Sequence, residues 1–312
     1  MPKLTRQQFL GWKTEATAGT AETLTDSDFY HASDVNLTFE SDEVRRPVNL
    51  GSFSDAPGWS GGILARLNFG VEVVGSGTAG TAPFFGDLLE GCGFTETLVG
   101  ATSATYAESA AFSDQKHVSF QVYQDGLLHK VNGAVGTFKV PFEMGNPGRF
   151  EFEFLGRYNG DPSDGTNPTP TYATTKPEPT IGTTLTLDSF SPISSKLEFD
   201  IGNTLSARGS LSDTFGNAIP AITARESVGM VDAEVDTVAN YAFLKKWREN
   251  TKIDGSFVLG ATAGNILTVA WDMILTGAPA AGDTDGVLRY DAPFRLISND
   301  LAGENAITFV WT

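Results

Sequence analysis

Cysteine is almost missing from this 312-residue chain. Cys92 stands alone, so an internal disulfide and a Cys-rich structural zinc site are both excluded. Histidine is nearly as scarce, and His31, His117 and His129 show no close metal-ligand spacing. Basic residues are also short: 21 Lys and Arg face 38 Asp and Glu, a formal net charge of −17 at pH 7. A chain this acidic repels phosphate, which argues against gripping nucleic acid through a broad basic face. No apolar run approaches the roughly 18–20 residues of a membrane span. The opening Met1-Pro2-Lys3-Leu4-Thr5-Arg6-Gln7-Gln8 lacks the apolar stretch of a signal peptide. These absences predict a soluble protein made in a cytoplasm, with no membrane partner, cofactor or metal.

Glycine and phenylalanine, by contrast, are abundant, at 34 and 22 residues. They accompany clear period-two patterns. Val35-Asn36-Leu37-Thr38-Phe39 alternates strictly, as does Val118-Ser119-Phe120-Gln121-Val122-Tyr123, and Phe150-Glu151-Phe152-Glu153-Phe154 sets three aromatics against two carboxylates. Such strands bury one face and wet the other, which favours antiparallel sandwiches or barrels. Gln124-Asp125-Gly126 reads as a hairpin turn. Helical signal is confined to residues 84–89, residues 238–249 and a short arm at residues 6–10. The fold class is therefore mostly β, with one short helix in each half.

The length suits one large domain or two of about 150 residues. Residues 161–184, from Asp161-Pro162-Ser163-Asp164-Gly165 through Pro168, Pro170, Pro177 and Pro179, are proline-rich and poor in aliphatics, the composition of a linker or exposed arm. The flanking halves resemble each other in order. Residues 35–40 match 195–200, residues 71–73 match 233–235, and Pro83-Phe84-Phe85 with Leu88-Leu89 matches Tyr241-Ala242-Phe243-Leu244 with Trp247. Residues 118–123 match 266–271, residues 140–144 match 292–296, and residues 152–154 match 309–311. Ordered matches about one domain length apart predict a tandem duplication: residues 1–160, a linker at 161–184, and residues 185–312.

Several motifs invite catalytic readings. Gly75-Ser76-Gly77-Thr78-Ala79-Gly80 fits a dinucleotide fingerprint, but Glu72, Pro83, Gly91 and Gly93 spoil the βαβ context, leaving a flexible loop. Gly58-Trp59-Ser60-Gly61-Gly62 fits a nucleophile elbow and makes a serine hydrolase using Ser60 one rival. Its flanks read as loop and strand, so a hairpin tip is the simpler reading. Gly282-Asp283-Thr284-Asp285-Gly286 and residues 161–165 have the acid spacing of calcium loops without the closing bidentate acid, and read as Asp-stabilised turns. Cys92 reads as a small core residue and His129 as an ordinary strand residue.

Taken together, an ordered set of features resembles the tail tube proteins of long, non-contractile-tailed bacteriophages. Residues 11–20 (Gly-Trp-Lys-Thr-Glu-Ala-Thr-Ala-Gly-Thr) resemble the family's extended opening arm, and residues 34–38 its first sheet strand. Residues 75–83, Leu88-Leu89 and Cys92-Gly93-Phe94 resemble its loop and short helix. Asp125-Gly126-Leu127-Leu128-His129-Lys130 and residues 150–158 complete the likeness, which is strongest over residues 1–160. The resemblance implies two tandem antiparallel tail-tube domains, sandwich- or barrel-like, with an N-terminal arm (residues 1–30), a long loop (residues 42–62) and the Pro-rich linker.

What the resemblance implies for function is a structural subunit whose rings stack into a hollow conduit. DNA passes through without specific binding, and the tube encloses a tape-measure protein during assembly. Further implied partners are the tail terminator and distal tail proteins, in a virion tail assembled from protein made in the host cytoplasm. Because the commonest relatives form six-membered rings of one domain, two domains per chain imply a ring of three with pseudo-sixfold symmetry in preference to a hexamer. Contacts between subunits and rings are expected from Trp12, Arg45, Arg46, Trp59 and Arg208, and from the arm, the long loop, the linker and the second-half loop at residues 203–221. Carboxylates at Glu151, Glu153 and Glu234 are candidates for an acidic lumen. The alternatives are another tail ring component (distal tail or terminator), or a two-sandwich carbohydrate-binding or adhesin module presenting Trp59, Trp247 and Trp271.

Overall fold

The structure is a computed structural model that describes residues 3–49, 51, 53–109, 111–284, 286–298 and 305–312. Among the described residues the chain is mostly β. Twenty strands, many of them short, are joined by antiparallel pairings, and two six-residue α-helices lie at Gly86–Gly91 and Phe243–Arg248. No closed barrel forms among them. The expected helical arm at residues 6–10 is instead the start of a strand, Gln8–Thr14, paired along its whole length with Val118–Gln124. Leu10 and Trp12 point inward from it, and burying them outweighs any weak local preference for a helix.

Strand pairing follows one order twice. In the first half it runs Ser33–Val44, Trp59–Glu72, Arg149–Tyr158, Leu127–Glu143, Val118–Gln124 and Gln8–Thr14. In the second it runs Ser194–Asp200, Val228–Glu234, Val287–Leu296, Leu267–Leu275, Ile253–Leu259 and Thr184–Leu187. This order corrects three of the six sequence matches. Val118–Gln124 occupies the place of Ile253–Leu259, not of residues 266–271. Arg149–Tyr158 occupies the place of Val287–Leu296, so the counterparts of residues 140–144 and 152–154 each lie one strand earlier than the sequence pattern places them. Alternating strands look alike at period two, so sequence alone could not tell neighbouring ones apart.

The halves are joined by hydrogen-bonded sheet as well as by chain. Residues 139–143 of the long strand Leu127–Glu143 pair with residues 196–200, from Lys139 opposite Asp200 to Glu143 opposite Lys196. A second seam is made by Ile307–Trp311, which pairs with Leu267–Leu275 on one edge and with the first-half strand Ser103–Glu108 on the other. One apolar core runs through both halves. Phe142 meets Phe257 at 4.7 Å, Phe94 meets Phe309 at 5.8 Å, and Phe85 meets Trp311 edge-on at 5.4 Å. Each buried Phe contributes about 1.5–3 kcal/mol. The alternating run at residues 150–154 behaves as its pattern requires: Phe150, Phe152 and Phe154 fill the core while Glu151 and Glu153 face away.

Asp125 and Gly126 turn the chain with φ of 50° and 78°, the two positive values a tight type I′ hairpin demands. The proline-rich segment is strapped to the surface. Gly126 N–H donates to Asn167 (2.6 Å), Tyr172 stacks on His31 at 3.8 Å, and Pro179 bridges to Pro147.

Candidate assembly surface

Because the sheet continues through the junction of the halves, its polar side forms one face. Following the register from Trp59–Glu72 through the junction to Val287–Leu296, this face carries Arg66, Glu151, Glu153, Lys139, Glu143, Lys196, Glu198, Asp200, Asp232, Glu234, Arg289 and Asp291. The three expected carboxylates, Glu151, Glu153 and Glu234, therefore share one surface. It is a mixed face and not purely acidic. Arg66 pairs with Glu40 (2.6 Å) and with Glu153, Lys139 with Asp200 (2.8 Å), and Lys196 with Glu198 (3.0 Å). Arg289 bridges Asp232 and Glu234, each at 3.0 Å. Asp232 is the best-held acid. The Ser194 hydroxyl (2.7 Å), the Ser195 and Lys196 amides (2.9 and 2.6 Å) and the Ser195 hydroxyl all donate to it. Burial pushes its pKa up, but these hydrogen bonds outweigh burial and hold it below the ordinary aspartate value.

Each half carries a long hairpin at the sheet margin, and the two differ. The second-half strands Asn203–Gly209 and Asn217–Arg225 pair with each other and lie across the first half. Arg225 is the clamp. It donates to the carbonyls of Cys92 and Gly93 (both 3.0 Å) and to Asn203 Oδ1 (2.8 Å), ion-pairs with the buried Glu108 (3.4 Å) and covers the Phe94 ring at 5.2 Å. Burial raises the Glu108 pKa, although Arg225 and the Ala306 amide pull it down. Farther out, Arg157 pairs with Asp213 (2.8 Å) and Tyr158 packs edge-on against Phe215 at 4.9 Å. Nothing in the sequence singled out Arg225, Asn203 or Glu108. An Arg after the apolar run at residues 218–222 was the one available signal, and it does not reveal a partner 117 residues earlier in the chain, Glu108.

The first-half hairpin, at Ser33–Val44 and Trp59–Glu72, joins the main sheet over residues 64–72. It touches the second hairpin where Ile63 N–H donates to the Phe215 carbonyl (2.9 Å), and its tip carries exposed Val44, Val48, Phe53 and Trp59. Arg45 pairs with Glu43 (3.5 Å), and Arg46 lies over the Trp59 ring at 5.8 Å. Arg208 is turned onto its own hairpin, where it donates to the Ile219 carbonyl (3.1 and 2.9 Å). Trp12 is a correction. At 0% exposure it stacks near Tyr30 and Phe69 in the core and has no surface to offer another subunit. The arm joins its own chain's sheet through Gln8–Thr14, and residues 203–221 belong to the second hairpin that docks on the first half.

The catalytic-looking motifs acquire structural explanations. Ser60 sits inside the 14-residue strand Trp59–Glu72, opposite Glu43, and not at a strand-to-helix turn. The loop at residues 75–80 receives the second half: Gly75 N–H donates to Asn265 Oδ1 (2.6 Å) and Gly77 N–H to the Gly264 carbonyl (3.0 Å). A Cβ at Gly75 would collide with the Gly264 carbonyl, so close passage of two backbones explains this glycine. Asp283 accepts from the Gly286 amide (3.3 Å) as a turn residue, and Asp285 lies outside the described residues. Asp161 accepts from the Tyr158 hydroxyl (2.7 Å). Among the described residues no three His, Cys, Asp or Glu side chains gather as metal ligands, and no helix is long and apolar enough to cross a membrane. The adhesin platform does not assemble, because Trp271 is 3% exposed in the core while Trp59 stands out on the first hairpin.

A mostly antiparallel chain whose charged residues go into sheet faces and hairpin clamps defines a structural β protein. The chain belongs to the phage tail tube protein family, whose model matches residues 5–296. It is thus a structural tail tube subunit of the virion tail that assembles with copies of itself, in a family that points away from enzymatic activity. No curated protein matches it.

Proposed function

We propose that three copies close into a ring in which six look-alike halves alternate around the axis. The rings stack into a hollow tube that encloses a tape-measure protein during assembly and later conducts DNA, meeting terminator and distal tail proteins at its ends. The single observation carrying this reading is the sheet junction within the chain. Two halves with the same strand order meet edge to edge, residues 139–143 against 196–200, which supports a ring in which a contact of this kind repeats between copies. Such closure also covers sheet edges that would otherwise invite uncontrolled pairing.

The polar face with Glu151, Glu153 and Glu234 lines the channel in this arrangement. Its cations are engaged by neighbouring carboxylates, which leaves no broad positive surface on which phosphates could displace counterions and stick. Native mass measurement on rings released from purified tubes tests the stoichiometry. Three chains are expected, and six chains would overturn it.

A further inference from the structure

We propose that the junction inside the chain is the template for the junction between chains: residues 34–38 of one copy pair antiparallel with residues 280–284 of the next, with Asn36 opposite Gly282 and Thr38 opposite Ala280. This rests on the ring reading and adds partner strands and a register to it.

The register follows from pairings in the chain. Glu72 stands opposite Arg149 as Glu234 stands opposite Arg289, and Gly70 opposite Glu151 as Asp232 opposite Asp291. One step farther, Glu151 faces Lys139 as Asp291 faces Ala280. Lys139 and Ala280 are therefore equivalent positions, and residues 280–284 stand where residues 139–143 stand in the first half. On the other side, Asn36 opposite Asn68 and Thr38 opposite Arg66 correspond to Glu198 opposite Met230 and Asp200 opposite Val228. Both strands also carry a register shift within one residue of the same place, between Ser33 and Asn36 and between Ser194 and Leu197.

Inside the chain, Lys139 pairs with Asp200 and Pro141 with Glu198. The matching edges carry no further strand, although the Val35 carbonyl accepts from the Gln8 side-chain amide (3.2 Å). Ser33–Val44 pairs only with Trp59–Glu72, and Ala280–Thr284 only with Val287–Leu296, among the described residues. Ala280, Ala281 and Gly282 are small, so a backbone can approach them closely. The ion pair Lys139–Asp200 falls on Ala280 and Thr38 in the equivalent seam, which is held by main-chain bonds and depends less on salt than the seam within the chain. The first hairpin continues directly from residues 34–38. Its exposed Val44, Phe53 and Trp59 lie where the second hairpin, beyond residues 196–200, docks on the neighbouring half.

Disulfide trapping in assembled full-length chain tests the register. Cβ atoms of directly opposed residues lie about 4.5–5.5 Å apart, and those one pleat repeat away about 7–8 Å. Only the former come within disulfide reach after small adjustment. The native thiol, Cys92, is buried and stays silent. With Asn36→Cys and Gly282→Cys together, mild oxidation of tubes is expected to give covalent species up to three chains on a denaturing, non-reducing gel. With Thr38→Cys and Gly282→Cys it is expected to give single chains. The reverse outcome overturns the register, and tubes that cross-link with neither pair overturn the seam while leaving the tube reading intact. Unmodified chain that forms no rings or tubes under the microscope overturns the tube reading itself. Hydrogen exchange on unmodified protein is independent of cysteine effects. Amides of residues 34–38 and 280–284 should exchange more slowly in tubes than in single chains, and unchanged rates in both segments overturn the proposal.

Discussion

The two long hairpins extend from the same end of each half's strand order, the second as the continuation of Ser194–Asp200 and Val228–Glu234. Yet the strands of the second are folded onto the chain while the tip of the first is left standing. Asn203–Gly209 with Asn217–Arg225 is clamped by Arg225, Asn203 and the Arg157–Asp213 pair. Ser33–Val44 with Trp59–Glu72 ends in a tip where, among the described residues, Arg45 meets Glu43, Arg46 meets Trp59, and the aromatics Phe53 and Trp59 face solvent. The difference separates two uses of one motif. Polar groups aimed at carbonyls hold a contact that forms as the chain folds. Exposed apolar side chains on an open tip suit a contact that waits for another molecule.

The largest test removes the clamp. Arg225→Ala leaves Glu108, whose side chain is 4% exposed, without its cation. Breaking a buried pair by deleting one partner costs about 3–5 kcal/mol. Chemical denaturation of the single chain should show a loss of that order. Adding Glu108→Gln should recover part of it, because the neutral amide removes the stranded charge. An Arg225→Ala chain as stable as the parent would mean the second hairpin is no more anchored than the first, and the contrast would fall.

A smaller effect is expected in the sheet from which the docked hairpin extends, where Asp232 holds residues 194–196. Asp232→Asn removes the charge and one of the two oxygens that accept from two hydroxyls, two amides and Arg289, at a cost of roughly 1–3 kcal/mol at neutral pH. The folded-state pKa of Asp232 lies below its unfolded value, near the ordinary 3.8. The folded chain therefore binds fewer protons between the two values. The ionic contribution is complete above the unfolded value and is lost as pH falls through the folded one. Denaturation midpoints of parent and variant should converge in that acidic window. A gap unchanged by pH would show that Asp232 acts through shape and not through charge.

Much of the sheet was legible in advance, because alternation is a local property. Phe150 to Phe154, the Asp125-Gly126 turn and the two short helices follow from patterns a few residues long. Pairing partners were less legible. The ordered matches drifted by one strand in the second part of each half, since one alternating strand satisfies the pattern as well as its neighbour. On the first hairpin, exposed Arg45, Arg46 and Trp59 could be picked out as cations and an aromatic in loop-like sequence. Trp12 could not be told from them, because burial depends on the distant strand Val118–Gln124. Arg225 was invisible for the same reason, since its partners come from a turn after Gly86–Gly91 and from Ser103–Glu108.

The smallest effect on the single chain, and the most discriminating between the hairpins, is expected at Trp59. Its indole is 56% exposed and meets Arg46 at 5.8 Å. A surface substitution of this kind changes stability by no more than about 0.5 kcal/mol, so Trp59→Ala should melt with the parent. Tube growth, followed by light scattering, should slow sharply, because an aromatic in an exposed apolar cluster is the type of residue that dominates association energy. Added salt should slow the parent only modestly, since the apolar contribution is insensitive to screening and the Arg46–ring attraction is small at an exposed site. Growth at the parent's rate would show that the first hairpin stands free in the assembled tube, and the contrast would then reflect different packing within the chain alone.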